Sequence, residues 1–291
     1  MFNKLKVLGF RWYYRRISRL AWEGTPLPHV KTSLLQLPLP ELTLAARMYH
    51  GASDRPLIIY FHGGGWTIGD LDTHHPFCVQ LAHETQCTVM SIDYRLAPEH
   101  PFPAAHEDAM AASRWIIDNL NALAPNNGEV VIAGDSAGGN MTLATAVKLP
   151  DEPRLRGCLM IYPAIQHYHA GMRSYVEHAK TGPLTTPIMR WFVDTYLDGL
   201  APADPAVEIM FPGRRTPLTG FPRTLLITAE KDPLRDDGRR LANALVRAGV
   251  PVEHEHFFHE AHGFACSEGP TPGHERCMAL TKAWIEAISA R

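Results

Sequence analysis

The sequence predicts an α/β fold with a mostly parallel central sheet and helices on both faces. Short apolar runs alternate with longer helical stretches from about residue 55 onward, which is the pattern of a parallel sheet covered by helices. The 291 residues are 45% hydrophobic and 20% charged, so the chain can bury a sizeable core. Together these observations predict one domain spanning 1–291, because α/β domains of this length are common.

The elements follow from their local patterns. Apolar runs of strand length, bounded by turn residues, predict buried strands at 57–61, 87–92, 130–133, 158–162 and 224–228. An alternating stretch predicts a last strand at 252–258. Helices are predicted at 104–120, 139–148 and 236–248, and the last of these ends before Gly249 and Pro251, an order typical of helix ends.

Two regions break this alternation and predict a cap. Residues 1 to about 40 precede the core, and residues from about 165 to 220 form a long insertion rich in Pro, Met and aromatic residues. Insertions at strand ends usually cover or line a site. The first segment also has Leu5, Leu8, Trp12 and Tyr13 near helical spacing beside basic residues. This pattern fits a helix packed on the body, and it also fits a helix at a membrane surface.

Charge and cysteine usage limit the function classes. A formal net charge of −2 gives no reason to expect a nucleic-acid partner, which requires a concentrated basic face. The five cysteines are odd in number and include no CxxC pair, so free thiols in the cytoplasm are expected. Arginines interrupt any apolar signal near the N-terminus, so we expect neither export nor membrane insertion. The expected partner is a small molecule.

The pentapeptide at 134–138, GDSAG, carries the strongest chemical signal. It lies between a predicted strand and a predicted helix, the context that a G-x-S-x-G turn requires. Such a turn strains the serine backbone, exposes its Oγ and directs the following amide toward developing negative charge. The alternative is an ordinary tight turn with a capping serine. The context favours Ser136 as a nucleophile, with Ala137 as an amide donor.

A second signal is HGGGW at 62–66, after the strand at 57–61. Consecutive glycines allow backbone N–H groups to approach a ligand oxygen closely. The loop Gly63, Gly64 and Gly65, together with the Ala137 amide, could therefore hold an oxyanion, which needs two or three donors at about 3 Å. A phosphate-binding loop is disfavoured because Asn140 stands where a Walker lysine would be required.

A nucleophilic serine needs a histidine base that is itself held by a carboxylate. Asp232 follows the strand at 224–228 and is the predicted acid, with Glu230 and Asp236 as competitors. His262, in the loop after the last predicted strand, is the predicted base. The sequence has 16 histidines, and one alternative is a metal site built from His254, His256, His259 and His262. That alternative lacks HExxH spacing and a carboxylate cluster, so no metal is predicted.

Five motifs in order resemble the hormone-sensitive-lipase family of bacterial esterases, in its acetyl-esterase-like GDSAG branch. They are HGGGW at 62–66, DYRLAPE at 93–99 with PFPAA at 101–105, GDSAGGN at 134–140, DPLRDDG at 232–238 and HGF at 262–264. The resemblance implies an α/β-hydrolase fold with a helical cap, and hydrolysis of short-acyl carboxylic esters through an acyl-enzyme, without metal or cofactor. It also implies a Ser136–His262–Asp232 triad and an oxyanion hole at Gly64, Gly65 and Ala137, with Gly63 shaping the loop.

Further residues are candidates for substrate contact, although packing within the cap or core would explain them equally well. They are Trp66, Asp135, Tyr168, Trp191, Phe192, Met210 and Phe211. Two other functions remain open: a binding protein on a retired hydrolase scaffold, and amide hydrolysis, acyl transfer or dehydration by the same triad. An apolar helical face at Leu280, Trp284 and Ile285 could reflect packing on the body or a homodimer.

Overall fold

Eight strands form one sheet in the computed structural model, which describes residues 2–123, 125–212 and 216–290. In chain order they are β1 (Thr32–Pro38), β2 (Thr43–Tyr49), β3 (Leu57–Phe61), β4 (Thr88–Ile92), β5 (Val130–Asp135), β6 (Leu155–Ile161), β7 (Thr224–Lys231) and β8 (Val252–Ala261). The order across the sheet is β1-β2-β4-β3-β5-β6-β7-β8. Strand β2 runs antiparallel to both of its neighbours, and every other neighbouring pair is parallel. The predicted mostly parallel α/β sheet is confirmed.

Helices cover both faces of this sheet. Those of the described residues are α1 (Phe2–Ala21), α2 (His75–Thr85), α3 (Ala104–Asp118), α4 (Ala137–Val147), α5 (Arg173–Glu177), α6 (Thr186–Leu197), α7 (Arg235–Arg247) and α8 (Pro272–Ser289). Alternate residues of the buried strand β3 point to opposite faces, as the pleat requires. Ile59 joins the cluster that α3, α4 and α7 cover, whereas Ile58 joins the cluster beneath α2 and α8. Two cores therefore hold the central strands from both sides.

The edge of the sheet differs from the prediction. Thr32–Pro38 lie within the segment assigned to the cap, yet they form β1 and pair along their length with β2. Strand β1 is half exposed, so its sequence carries no continuous apolar run that would mark a strand. The part of the first segment that lies outside the sheet is chiefly helix α1. Residue 1 of that segment lies outside the described residues.

The insertion from about 165 to 220 contains two helices, α5 and α6, in place of a structureless loop. Its residues 213–215 lie outside the described residues. The apolar face at the C-terminus packs on the chain's own sheet, since Trp284 and Ile285 are buried in the cluster beneath α8. Internal packing therefore explains that face without a dimer. No helix within the described ranges has the length and apolar character needed to cross a membrane.

Candidate active site

The turn at Ser136 joins β5 directly to α4. Ser136 has φ +55° and ψ −115°, a backbone conformation that side-chain-bearing residues rarely adopt. Both flanking glycines are sterically required. A Cβ at Gly134 would collide with the backbone of Gly138, and a Cβ at Gly138 would collide with the carbonyl of Phe61. The turn therefore depends on the G-x-S-x-G spacing seen in the sequence.

Three predicted residues meet at one edge of the sheet. His262 Nε2 lies 3.0 Å from Ser136 Oγ, and His262 Nδ1 lies 2.8 Å from Asp232 Oδ2. Since β5, β7 and β8 run parallel, their carboxyl ends bring the following loops together. A carboxylate only accepts, so Nδ1 donates its hydrogen to Asp232, and Nε2 is left to accept from the serine hydroxyl.

Asp232 is completely buried, and its second oxygen accepts the amide of Leu234 at 2.8 Å. Its competitors have other partners. Glu230 accepts from His256 Nε2 at 2.8 Å and from Arg235 at 2.7 Å. Asp236 lies in the first turn of α7 and pairs with Arg235 at 2.9 Å, so it is not the N-cap of that helix. Neither competitor contacts His262.

The glycine loop is anchored through Gly63. Its amide donates to Asp135 Oδ1 at 2.8 Å, so Gly63 is not a free donor for a substrate oxygen. This corrects its inclusion among the oxyanion-hole residues and agrees with the loop-shaping role that the resemblance implied. The amides of Gly64, Gly65 and Ala137 donate to no other group of the described chain. These three residues also line the cavity that contains Ser136.

Asp135 is the centre of a buried polar network beneath the serine. It accepts the hydroxyl of Tyr60 at 2.6 Å in addition to the Gly63 amide, and His74 Nε2 lies 3.5 Å away. Burial would raise the pKa of Asp135, but His74, the Tyr60 hydroxyl and the Gly63 amide together hold it below the usual value. Burial and the nearby His74 lower the pKa of His62 to about 4, so His62 is neutral near pH 7.

A mostly apolar cavity of about 440 Å³ opens above Ser136. Of the seven candidates for substrate contact, three line it: Trp66, Asp135 and Phe192. Trp66 is almost entirely buried and stacks on Tyr196, so only part of it faces the cavity. Asp135 is occupied by the network described above. Phe192 lies directly against the backbone of Gly65, where a Cβ would collide with its ring.

The other four candidates lie elsewhere. Met210 and Phe211 are fully buried in the large core beneath α3, α4 and α7. Tyr168 donates its hydroxyl to Asp194 at 2.7 Å and does not line the cavity. Trp191 packs edge-on against the ring of Phe10 and does not line the cavity. For these four residues, packing or surface contacts account for the apolar and aromatic pattern, and none of them lines the cavity above Ser136.

The sequence reasoning missed several residues that line the cavity. They come from α1, from the insertion and from the loop after Asp232, and they include Phe10, Tyr13, Tyr14, Ile17, Leu184, Ile188, Met189 and Leu234. The α1 members recur at intervals of three and four residues, which marks one helix face. That spacing was visible in the sequence. The spacing alone does not predict which face of α1 points toward Ser136.

A family model described as an alpha/beta hydrolase fold matches residues 58–266, a range that contains the serine turn, Asp232 and His262. The chain belongs to the α/β-hydrolase family. The resemblance to the hormone-sensitive-lipase branch of that family is likewise confirmed.

Several α/β-hydrolase relatives are close enough to compare along most of the chain. Carboxylesterase NlhH of Mycobacterium tuberculosis is 36% identical over 262 residues, covering 81% of each protein. The ethyl acetate hydrolase of Pseudomonas putida is 33% identical over 230 residues, covering 72% of this chain and 68% of that enzyme. The solved structure of a hyperthermophilic esterase from the archaeon Pyrobaculum calidifontis has a TM-score of 0.91 at 32% identity, covering 98% of this chain and 92% of that one.

Three of the four histidines that could have formed a metal site, His254, His256 and His262, contact other side chains. His262 faces Asp232 and Ser136, whereas His256 bonds Glu230. His254 and His256 both contact the hydroxyl of Thr228, each at 2.9 Å. In the described ranges, no three His, Cys, Asp or Glu side chains are grouped closely enough to hold a metal ion.

Proposed function

We propose that this α/β-hydrolase is a serine carboxylesterase for short-acyl esters, with Ser136 as nucleophile, His262 as general base and Asp232 as the acid that orients the histidine. The observation that carries the proposal is the chain of contacts at the cavity floor. Ser136 Oγ lies 3.0 Å from His262 Nε2, and His262 Nδ1 lies 2.8 Å from the buried Asp232. The names of its relatives, carboxylesterase NlhH and ethyl acetate hydrolase, support ester hydrolysis.

In the first half-reaction, His262 Nε2 takes the hydroxyl proton as Ser136 Oγ attacks the ester carbonyl carbon. The carbonyl π electrons move to oxygen, and the amides of Gly64, Gly65 and Ala137 donate to the resulting oxyanion. The tetrahedral intermediate then collapses. The bond from carbon to the alcohol oxygen breaks, His262 gives its proton to that oxygen, and Ser136 remains acylated.

In the second half-reaction, His262 takes a proton from water as the water oxygen attacks the acyl carbon. Collapse of this second intermediate returns the proton to Ser136 Oγ and releases the carboxylic acid. Asp232 keeps its hydrogen bond to His262 Nδ1 and stabilises the imidazolium that forms twice in each cycle. The products are one acid and one alcohol, and the cycle needs no co-reactant other than water.

The preference for short acyl groups rests on the cavity and its cover. We assign the cap to α1 together with the insertion that carries α5 and α6, because Phe10, Tyr14, Met189 and Phe192 close the cavity from these two segments. A volume of about 440 Å³ is at the lower part of the usual range for small-molecule pockets. The apolar lining favours an alkyl acyl group over a charged one.

The proposal also includes the cellular compartment of the enzyme. All five cysteines are unpaired and buried. Buried free thiols are typical of proteins kept in a reducing compartment. We therefore assign the enzyme to the cytoplasm.

The test is hydrolysis of p-nitrophenyl esters from acetate to palmitate by the wild-type protein and by Ser136→Ala. We expect activity confined to the shorter esters and abolished in the variant. A fluorophosphonate probe should phosphonylate Ser136 of the wild-type protein with loss of HF, which mass spectrometry detects, and leave Ser136→Ala unlabelled. Turnover by folded Ser136→Ala would overturn the nucleophile assignment. A folded wild-type protein that is inactive on every ester would favour the binding-protein alternative.

A further inference from the structure

Positive charge is concentrated on helix α1. Its twenty residues contain six lysines and arginines and no aspartate or glutamate, although the whole chain has a net charge of −2. Two of these cations hold the helix on the body. Arg11 donates to the carbonyls of Thr67 and Ala97, each at 2.8 Å, and Arg15 pairs with Asp70. These contacts fix which face of α1 points outward.

Three other cations of α1, Lys6, Arg16 and Arg19, are exposed and form no ion pair with the described residues. Large apolar side chains lie on the face that carries Arg16 and Arg19. Leu5, Leu8 and Trp12 are 70%, 54% and 65% exposed, and Leu20 is 44% exposed. Leu5, Leu8 and Trp12 follow one another at intervals of three and four residues, so they form one stripe. Exposed apolar clusters of this kind usually mark an interaction site.

Cations and apolar side chains are interleaved on this face. At 100° per residue, Arg16 and Arg19 project within about 40° of Trp12 around the helix axis. The guanidinium of Arg16 lies 5.9 Å from the centre of the Trp12 ring. A helix that lies in a lipid interface combines leucine and tryptophan with lysine and arginine in this way, because the apolar groups enter the acyl boundary while the cations contact phosphates.

We propose that this outer face of α1, formed by Leu5, Leu8, Trp12, Arg16, Arg19 and Leu20, docks the protein on the surface of an anionic phospholipid bilayer. Charge complementarity selects the occupant, because a basic helix on a slightly acidic protein is attracted to negatively charged lipid and repelled by a second copy of itself. The opposite face of the same helix covers the cavity through Phe10 and Tyr14. Docking therefore places the cavity beside the bilayer, where apolar esters partition. The proposal does not depend on the reaction at Ser136.

The test is co-flotation of the full-length protein with vesicles of phosphatidylcholine alone or with about 30% phosphatidylglycerol added. We expect binding to the anionic vesicles only, weakening as salt is raised. Arg16→Gln/Arg19→Gln should weaken binding about 30-fold, the effect of two interfacial cations. Arg240→Gln/Arg247→Gln removes the same charge from exposed positions on α7 and should bind as the wild type does.

Trp12 supplies an independent readout. Its indole should shift to shorter emission wavelength when anionic vesicles are added, and Trp12→Phe should remove that shift. Circular dichroism melting of each variant verifies that it is folded. Absence of binding to anionic vesicles, equal binding to neutral ones, or unchanged binding by folded Arg16→Gln/Arg19→Gln would overturn the proposal. So would a vesicle-free dimer in analytical ultracentrifugation that Trp12→Ala dissociates, because a second copy would then occupy this face.

Discussion

The backbone amide of Gly63 donates a 2.8 Å hydrogen bond to the carboxylate of Asp135, the residue immediately before Ser136. The hydroxyl of Tyr60 donates to the same oxygen at 2.6 Å. One buried carboxylate thereby joins the glycine loop to the serine turn. The amides of Gly64 and Gly65 are held in position by this link, so Asp135 is a positioning residue for the proposed oxyanion hole.

Replacing Asp135 should therefore affect both stability and turnover. In Asp135→Ala, two buried donors lose their acceptor, at about 1–3 kcal/mol each, so we expect the free energy of unfolding to fall by about 2–6 kcal/mol. Asp135→Asn keeps an oxygen in the same place and should retain most of the stability and much of kcat. Urea unfolding and ester hydrolysis measure the two effects. An Asp135→Ala protein as stable and as active as Asp135→Asn would contradict this role.

Most of this site could be predicted from the sequence, because the local backbone geometry requires particular residues there. The glycines around Ser136 are imposed by backbone collisions. Asp232 follows the apolar run of β7, and His262 follows the alternating stretch of β8. The cavity lining was harder to predict, because an aromatic residue such as Phe211 fits a buried core as well as the lining of a pocket. Whether Phe192 or Trp191 faces Ser136 depends on the rotation of α6, which is set by tertiary packing. Strand β1 was missed because it is half exposed and its sequence carries no continuous apolar run.

The assignment of the acid can be tested with a matched pair of variants. Asp232→Asn preserves size but presents a hydrogen-bond donor or a weaker acceptor to His262 Nδ1, which favours the wrong tautomer. We expect kcat to fall about 10⁴-fold. Glu230→Gln removes a charge two residues away that pairs with His256 and Arg235, and should leave kcat nearly unchanged. If Glu230→Gln caused the larger loss in p-nitrophenyl acetate hydrolysis, Glu230 would be the acid in place of Asp232.

A buried carboxylate ties the insertion to α7. Asp237 accepts the amides of Ile165 and Gln166 at 2.9 and 2.8 Å and the hydroxyl of Tyr175 at 2.6 Å. Burial raises the pKa of Asp237 to about 7, although these hydrogen bonds lower it in part. Because the unfolded pKa is near 3.9, the folded state retains a proton that the unfolded chain releases between about pH 4 and pH 7.

Stability should therefore fall as pH rises through that window, by up to about 1.4 kcal/mol per pH unit, and level off above it. Asp237→Asn removes this titration and should show a flatter profile in urea unfolding from pH 4 to 8. Asp236→Asn is the control. Burial raises the pKa of Asp236, but Arg235 and the Ser174 amide lower it further, so the pKa lies below its usual value. This substitution should therefore leave the slope of stability against pH intact. Parallel profiles for the wild type and Asp237→Asn would exclude Asp237 as the source.

The acyl-length preference should respond to Phe192, whose ring lies against Gly65 and lines the cavity. Phe192→Ala opens space beside Ser136, and each additional acyl methylene buried there contributes about 0.8 kcal/mol. We expect the ratio of kcat/KM for hexanoate to that for butyrate to rise about tenfold. Trp191→Ala truncates the neighbouring aromatic residue outside the cavity and should leave the ratio unchanged. Equal shifts in both variants would mean that loosening of α6, and not added room at Phe192, changes the preference.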